Sequence, residues 1–280
     1  MVKFPNCKIN LGLKILRKRK DGYHDLETIF YPLFPLCDAL EMIPLPGSSP
    51  AGLEPAITFS GLEISGSARD NLCTRAYRLL QKDFPDLPGI SVHLHKAIPM
   101  GAGLGGGSAD GAFMLQLLNQ QFNLGLSTEQ LTTYAAALGS DCPFFILNKP
   151  CLATGRGEQL SPLPLDLDNY YFLLINPGIH LSTSWAFSRV SPTVPQKSLE
   201  QIIRQPMDTW REALRNDFED PIATAYPEIH NLKEKLYTAG AIYAAMTGSG
   251  STVFGIFRTP PAKLEVPAEY WQKTIKNGII

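Results

Sequence analysis

Apolar and polar residues alternate along Lys8-Ile9-Asn10-Leu11-Gly12-Leu13-Lys14-Ile15. Ile9, Leu11, Leu13 and Ile15 share one face, and Lys8, Asn10, Gly12 and Lys14 share the other. This period of two predicts a strand with one buried face, and a solvated edge is the plain reading of its polar side. Leu26 to Leu40 predicts a second strand region, interrupted at Pro32 and Pro35, with Asp38 opening a turn. Pro44 to Pro55 is rich in Pro, Gly and Ser and reads as a loop. A helical stripe follows over Asn71 to Leu80, and Ile90 to His95 alternates as a strand. Helical spacing returns from about Ser108 to Gln120 through Ala112, Leu115 and Leu118. Ser127 and Gln130 form a capping box for a further helix carrying Leu131, Tyr134, Ala135 and Leu138, which Gly139 stops. Asp141 then precedes Cys-Pro-Phe-Phe-Ile, read as an apolar strand, and Thr154 to Glu158 reads as a turn.

In the second half, Tyr171 to Ile175 predicts a strand, and Leu181 to Phe187 starts a helix. Asn216-Asp217-Phe218-Glu219 reads as a loop or cap. Pro227 opens a helix with the stripe Ile229, Leu232 and Leu236, and Gly240 ends it. Ala241 to Met246 and Thr252 to Phe257 are strands joined by Thr247-Gly248-Ser249-Gly250-Ser251. Helices and strands intermix, so the class is α/β or α+β. A composition shift near residues 155–168 suggests a domain boundary.

Between the Ile90 strand and the helix that follows lies Pro99-Met100-Gly101-Ala102-Gly103-Leu104-Gly105-Gly106-Gly107-Ser108-Ala109. A glycine-rich run entering a helix offers backbone N–H groups to an anion, and the helix dipole adds positive charge there. A phosphate chain is the natural ligand. Gly101, Gly103 and Gly106 satisfy G-x-G-x-x-G, but the mid-chain position is wrong for a dinucleotide fold. No Gly-Lys-Ser/Thr ends the run, which excludes a Walker A loop, and the protein-kinase motifs are absent.

The 280 residues are 44% hydrophobic and 18% charged, enough for one large or two ordinary packed domains. A net charge of −1 gives no electrostatic reason to expect nucleic acid or an anionic membrane as partner. The five scattered cysteines contain no C-x-x-C pair, so neither a disulfide framework nor a zinc site is expected. No signal peptide or membrane span is apparent, and a cytoplasmic location is expected. Four further features carry candidate chemistry. Tyr23-His24 places an aromatic face and a titratable ring just past the Asp21-Gly22 turn, suited to a planar base or to a structural role. Asp141 is a partly buried carboxylate or a turn-forming Asp. Trp185 and Phe187 are core residues or the wall of a ligand site. Lys96, just before the glycine run, is a solvated lysine or faces a nucleotide.

Pro-x-Gly-x-Gly-Leu-Gly-Gly-Gly-Ser resembles the phosphate loop of the GHMP small-molecule kinases. Pro5-Asn6-Cys7-Lys8-Ile9-Asn10-Leu11, Asp21-Gly22-Tyr23-His24, Leu138 to Phe145 and Met246 to Ser251 resemble one branch of that family, which acts on a cytidylyl sugar alcohol. The resemblance runs from about residue 3 to 258. It implies a ribosomal-protein-S5-like nucleotide domain over 1–155 and a ferredoxin-like C-terminal domain over 156–280. It implies ATP-dependent phosphorylation of the alcohol's 2-hydroxyl in the non-mevalonate route to isoprenoid precursors. Another alcohol such as homoserine or mevalonate, or a silent ligand-binding relative, is the alternative. Asp141 matches the aspartate that accepts the proton of the attacking hydroxyl, and Lys8 the lysine beside it. Asn10, Tyr23, His24, Thr183 and Trp185 match the substrate site. Residues 99–109 match the ATP phosphate loop, and Asn71 and Lys96 match positions near the adenosine. Mg²⁺ is expected to arrive with ATP, held mainly by its phosphates, and the chain to be a monomer or weak homodimer. Three positions depart from the usual pattern: Ala109 for a Ser, Gly111 in the helix start, and Met246-Thr247 before Gly248.

Overall fold

The computed structural model describes residues 1–45, 54–64 and 66–278, so most of the expected 44–55 loop lies outside the described residues. The elements run β1 Val2–Lys3, β2 Asn6–Lys18, β3 His24–Cys37, β4 Ala39–Pro44, β5 Ala56–Gly61, α1 Leu72–Asp83, β6 Ile90–Lys96, α2 Gly106–Phe122, α3 Thr128–Leu138, α4 Cys142–Leu147, β7 Cys151–Thr154 and β8 Gln159–Pro162. They continue as β9 Tyr171–Asn176, α5 Thr183–Arg189, α6 Leu199–Ile203, α7 Trp210–Ala213, α8 Glu219–Ala225, α9 Pro227–Thr238, β10 Tyr243–Met246, β11 Val253–Phe257 and β12 Trp271–Lys276. Two compact units result. One comprises residues 1–7, 36–100 and 105–148; the other comprises 8–35, 101–104 and 149–280. Among the described residues no helix is long and apolar enough to cross a membrane.

The first unit holds the sheet β1-β4-β6-β5 and helices α1 to α4. Gly111 has a reason here: a Cβ on it would come within 2.9 Å of the Leu72 Cβ, so glycine lets α1 and α2 approach closely. The expected strand after Asp141 is the short helix α4, with Pro143 in its first turn. A short apolar run does not distinguish strand from helix, and proline is at home at a helix start. Helix α2 begins at Gly106, slightly before the expected start at about Ser108, with Gly105 at its cap position in the left-handed region at φ 72°. Asn71 caps α1, its side chain accepting from the Cys73 N–H.

Under the start of α2, Lys96 is 2% exposed and ion-paired with Asp38 and Asp110. Its ammonium is therefore interior, not turned to a nucleotide. Asp38, expected to open a turn, is buried, and its Oδ1 accepts the Ala97 and Ile98 N–H groups at 2.7 and 2.9 Å. Among the described residues Asp110 Oδ1 has no hydrogen-bond partner.

The second unit contains the sheets β2-β3-β7-β8 and β10-β11-β9-β12. Strand β3 runs unbroken through Pro32 and Pro35. Its pairing with β7 covers Thr28 to Phe30, so the prolines lie beyond that ladder, where a missing N–H costs less. Leu13, Ile15 and Leu26 join Leu173, Ile175, Leu236, Val253 and Phe257 in one buried cluster. The stripe Ile229, Leu232 and Leu236 of α9 is buried as expected. Strand β2 differs from expectation on its polar side: Lys8 and Asn10 are each 2% exposed.

One ammonium and two carboxylates carry net charge −1 when all are ionised, which burial penalises. Burial, with the Asp38 charge, pushes the Asp110 carboxyl up to about 7 against the pull of Lys96. The native state then holds a proton that the unfolded chain, with a carboxyl at about 4, releases. This contribution to stability is present below the unfolded value and is lost as pH rises through about 7. Asp110→Asn is neutral throughout. Urea midpoints of wild type and D110N at pH 5 and 8 are expected to show the wild type losing ground to the variant; parallel behaviour would contradict this.

Candidate active site

In the glycine run, Gly101, Gly103 and Gly105 sit at φ 63°, 78° and 72°. Non-glycine residues rarely adopt this region. Ala102 and Leu104 between them are buried and anchor the run. Helix geometry leaves the N–H groups of Gly106, Gly107 and Ser108 outside the α2 ladder, whose first bond runs from the Ala109 N–H to Gly105. A Cβ on Gly106 would meet the Ile98 side chain at 2.9 Å, whereas one on Gly107 would meet nothing within 4 Å. The open side of this helix start is thus at Gly107. Ala109 is fully buried, so its methyl points away from any ligand at the loop.

In the second unit a dense polar network surrounds Lys8. The Lys8 N–H donates to the Leu104 carbonyl at 3.0 Å. Its Nζ donates to Asn10 Oδ1 at 2.6 Å and to the Gly103 carbonyl at 3.1 Å, and lies 4.9 Å from the Phe30 ring centre. Asn10 Nδ2 donates to the Thr28 hydroxyl at 2.9 Å, and that hydroxyl donates to the Gly12 carbonyl at 2.6 Å. Thr247 completes the set. Its hydroxyl accepts from the Asn10 N–H at 3.0 Å and is aimed at Asn10 Oδ1 and the Gly103 carbonyl, 3.1 and 3.0 Å away. A Cβ on Gly103 would collide with the Thr247 carbonyl. Thr28 was not singled out from sequence, and Thr247 was noted only as a departure before Gly248. His180 also escaped notice; its Nδ1 would lie 3.3 Å from a Cβ on Gly101.

Tyr23 is 55% exposed, with the Arg156 guanidinium 4.8 Å over its ring. His24 stacks on Phe187 with ring centres 4.8 Å apart and an interplanar angle of 17°. Burial, with a smaller push from Lys18, lowers the His24 pKa, which favours a neutral ring able both to donate and to accept. Phe187 thus takes the place against His24, while Trp185 packs edge-on to Tyr226 with Arg189 over its face. The Thr183 hydroxyl lies 3.3 Å from that of Ser249.

Asp141 belongs to the first unit, half-buried at the N-terminal cap position of α4 with no side-chain cap bond. Beside it, burial pushes the Cys142 thiol up to about 12, with the Ser108 hydroxyl bonded to it and opposing the shift. Cys142 is therefore a packed thiol and no nucleophile.

A glycine run at a helix start has the chemistry of a phosphate-binding loop. The GHMP kinases N terminal domain matches residues 71–149, and the GHMP kinases C terminal domain matches residues 198–275. The chain is a small-molecule kinase of the two-domain GHMP fold. It is 52% identical to a 4-diphosphocytidyl-2-C-methyl-D-erythritol kinase of Bacteroides fragilis over 94% of both chains. With that of Bacteroides thetaiotaomicron it is 51% identical over 92% of both. A crystal structure of 4-(cytidine 5'-diphospho)-2C-methyl-D-erythritol kinase superposes with a TM-score of 0.79 at 29% identity, covering 99% of this chain and all of that one. A homoserine kinase of Cytophaga hutchinsonii shares the fold, with a TM-score of 0.65 at 14% identity over 98% of this chain and 95% of its own. The chain belongs to the 4-diphosphocytidyl-2-C-methyl-D-erythritol kinase family.

Gly107→Ala separates fold from binding. Alanine in a helix is worth up to about 1 kcal/mol over glycine, and the space is open. The variant should be as stable as wild type or more so. Blocking one N–H that holds a phosphate should raise the KM for ATP about tenfold. An unchanged KM would remove Gly107 from the phosphate site.

Proposed function

We propose that this chain transfers the γ-phosphoryl group of ATP to the 2-hydroxyl of 4-diphosphocytidyl-2-C-methyl-D-erythritol, giving the 2-phosphate and ADP. The observation that carries this reading is the Lys8 ammonium bonded to Gly103 in the glycine run. A fixed cation attached to a phosphate loop suits a step in which negative charge moves between oxygens. The loop N–H groups from Gly105 to Ser108 would hold the phosphates. Asp141 would accept or orient the proton of the attacking hydroxyl. The stacked His24 and exposed Tyr23 would take the cytosine edge and face, with Asn10, Thr183 and Trp185 serving the rest of the substrate. In functional terms residues 1–155 would supply the ATP site and 156–280 the C-terminal domain.

Mg²⁺ would come with the nucleotide. The Ser108 hydroxyl in the first turn of α2 and the Asp141 carboxylate at the cap of α4 are hard oxygen donors of the kind this ion accepts, so their chemistry fits it. Bound there, it would neutralise phosphate charge while its own ligands remained mainly phosphate oxygens and water. A monomer or weak homodimer in the cytoplasm goes with this reading.

ADP release is the test, with the cytidylyl substrate and with the same methylerythritol lacking the cytidylyl group. Turnover confined to the first is expected, and equal turnover of both would overturn the assigned specificity. Asp141→Asn should lose at least about a hundredfold in kcat while remaining folded; a fully active variant would remove Asp141 from the reaction. Tyr23→Ala should raise the KM of the cytidylyl substrate and leave that of ATP alone.

A further inference from the structure

Asn216 has no part in the site so far, yet its side chain is 3% exposed and fully engaged. Its segment runs parallel beside β2: the Leu13 N–H donates to the Arg215 carbonyl at 3.0 Å, and the Asp217 N–H donates to the Leu13 carbonyl at 2.9 Å. Asn216 Oδ1 accepts the Phe218 N–H at 3.0 Å. Both protons of Nδ2 go to the loop after β10, to the Met246 carbonyl at 2.9 Å and the Gly248 carbonyl at 2.8 Å. Glu219 adds a third hold, Oε1 accepting the Met246 N–H at 2.7 Å while Oε2 takes Lys233 Nζ at 2.6 Å. The backbone is therefore gripped on each side of Thr247.

We propose that Asn216 is a positioning residue for phosphoryl transfer. It acts through Thr247 on two of the oxygens to which the Lys8 ammonium donates. The geometry runs in one line. With carbonyls 246 and 248 fixed, the Thr247 backbone is fixed, and its hydroxyl can reach only certain partners. Those partners are Asn10 Oδ1 and the Gly103 carbonyl, the same atoms to which Lys8 Nζ donates. Loss of Asn216 frees the loop, and the ammonium loses its fixed seat. A purely structural role would lower stability and leave the folded enzyme's turnover intact. The inference rests on the kinase reading for the word transfer, but not for the coupling of Asn216 to Lys8.

The experiment is a double-mutant cycle with Asn216→Ala and Thr247→Val, read in two ways. The first is kcat with ATP and the cytidylyl substrate. Each single variant is expected to lose about tenfold or more, and the double variant no more than the worse single one, because both act through one hydroxyl. The second is acetylation of lysines by acetic anhydride, followed by mass spectrometry without substrate. Lys8 labelling should rise in both single variants, rise no further in the double, and leave Lys96 as slow as in wild type. Losses that multiply in kcat, or Lys8 labelling that does not move, would overturn the proposal. Wild type without turnover would sink the kinase reading alone, and the labelling would still decide whether Asn216 sets Lys8. Should N216A not fold, Glu219→Ala releases the Met246 N–H and must show the same non-additivity with T247V.

Discussion

A lysine ammonium taken out of water needs oxygens around it in fixed directions. Lys8 imposes this need on its unit, and the orientation of every neighbour follows. Asn10 must turn its oxygen to Lys8, so its NH₂ faces Thr28, and the Thr28 proton must go on to the Gly12 carbonyl. Thr247 then reaches Asn10 Oδ1 and Gly103 from the other side. Gly103 has to be glycine both for its positive φ and because a Cβ would strike the Thr247 backbone. One buried charge thus sets amide flips, hydroxyl directions and a backbone conformation in segments far apart in sequence.

A second buried lysine is held by two carboxylates. Lys96 is surrounded by carboxylates, and its cluster carries more negative than positive charge until Asp110 takes a proton. Both lysines border the glycine run, one by bonding the Gly103 carbonyl and the other from beneath the start of α2. Beyond the buried Ala102 and Leu104 the run has few side chains of its own to fix it, so neighbours of this kind help set its shape.

What could be read from sequence follows from the range of each signal. The helices bearing Leu131 or Ile229, the capping box of Ser127 and Gln130, and the final hairpin were legible because each is set by residues a few positions apart. The glycine run was legible because few other functions tolerate so many glycines at a helix start. The burial of Lys8 and Asn10 was not, since alternation says that a face is polar and not whether another segment covers it. Phe187 against His24 was missed for a similar reason: core aromatics and ligand walls have the same local pattern. Asp38 looked like a turn residue because its partners, Lys96 and the Ala97 and Ile98 N–H groups, lie in another strand and the loop after it. Tyr23, His24 and Asp141 gained their meaning from resemblance, not from any pattern of their own.

The hairpin of β2 and β3 has its hydrophobic partners at the far end of the chain. Leu13, Ile15 and Leu26 are buried among Leu173, Ile175, Leu236 and Phe257. On the ribosome these residues emerge long before the ones that cover them. Contacts so distant in sequence close slowly, and an early apolar strand waiting for them is exposed to wrong pairing. Vectorial synthesis therefore cannot complete the second unit from its beginning. Lys8 is made long before Thr247, which completes its surroundings.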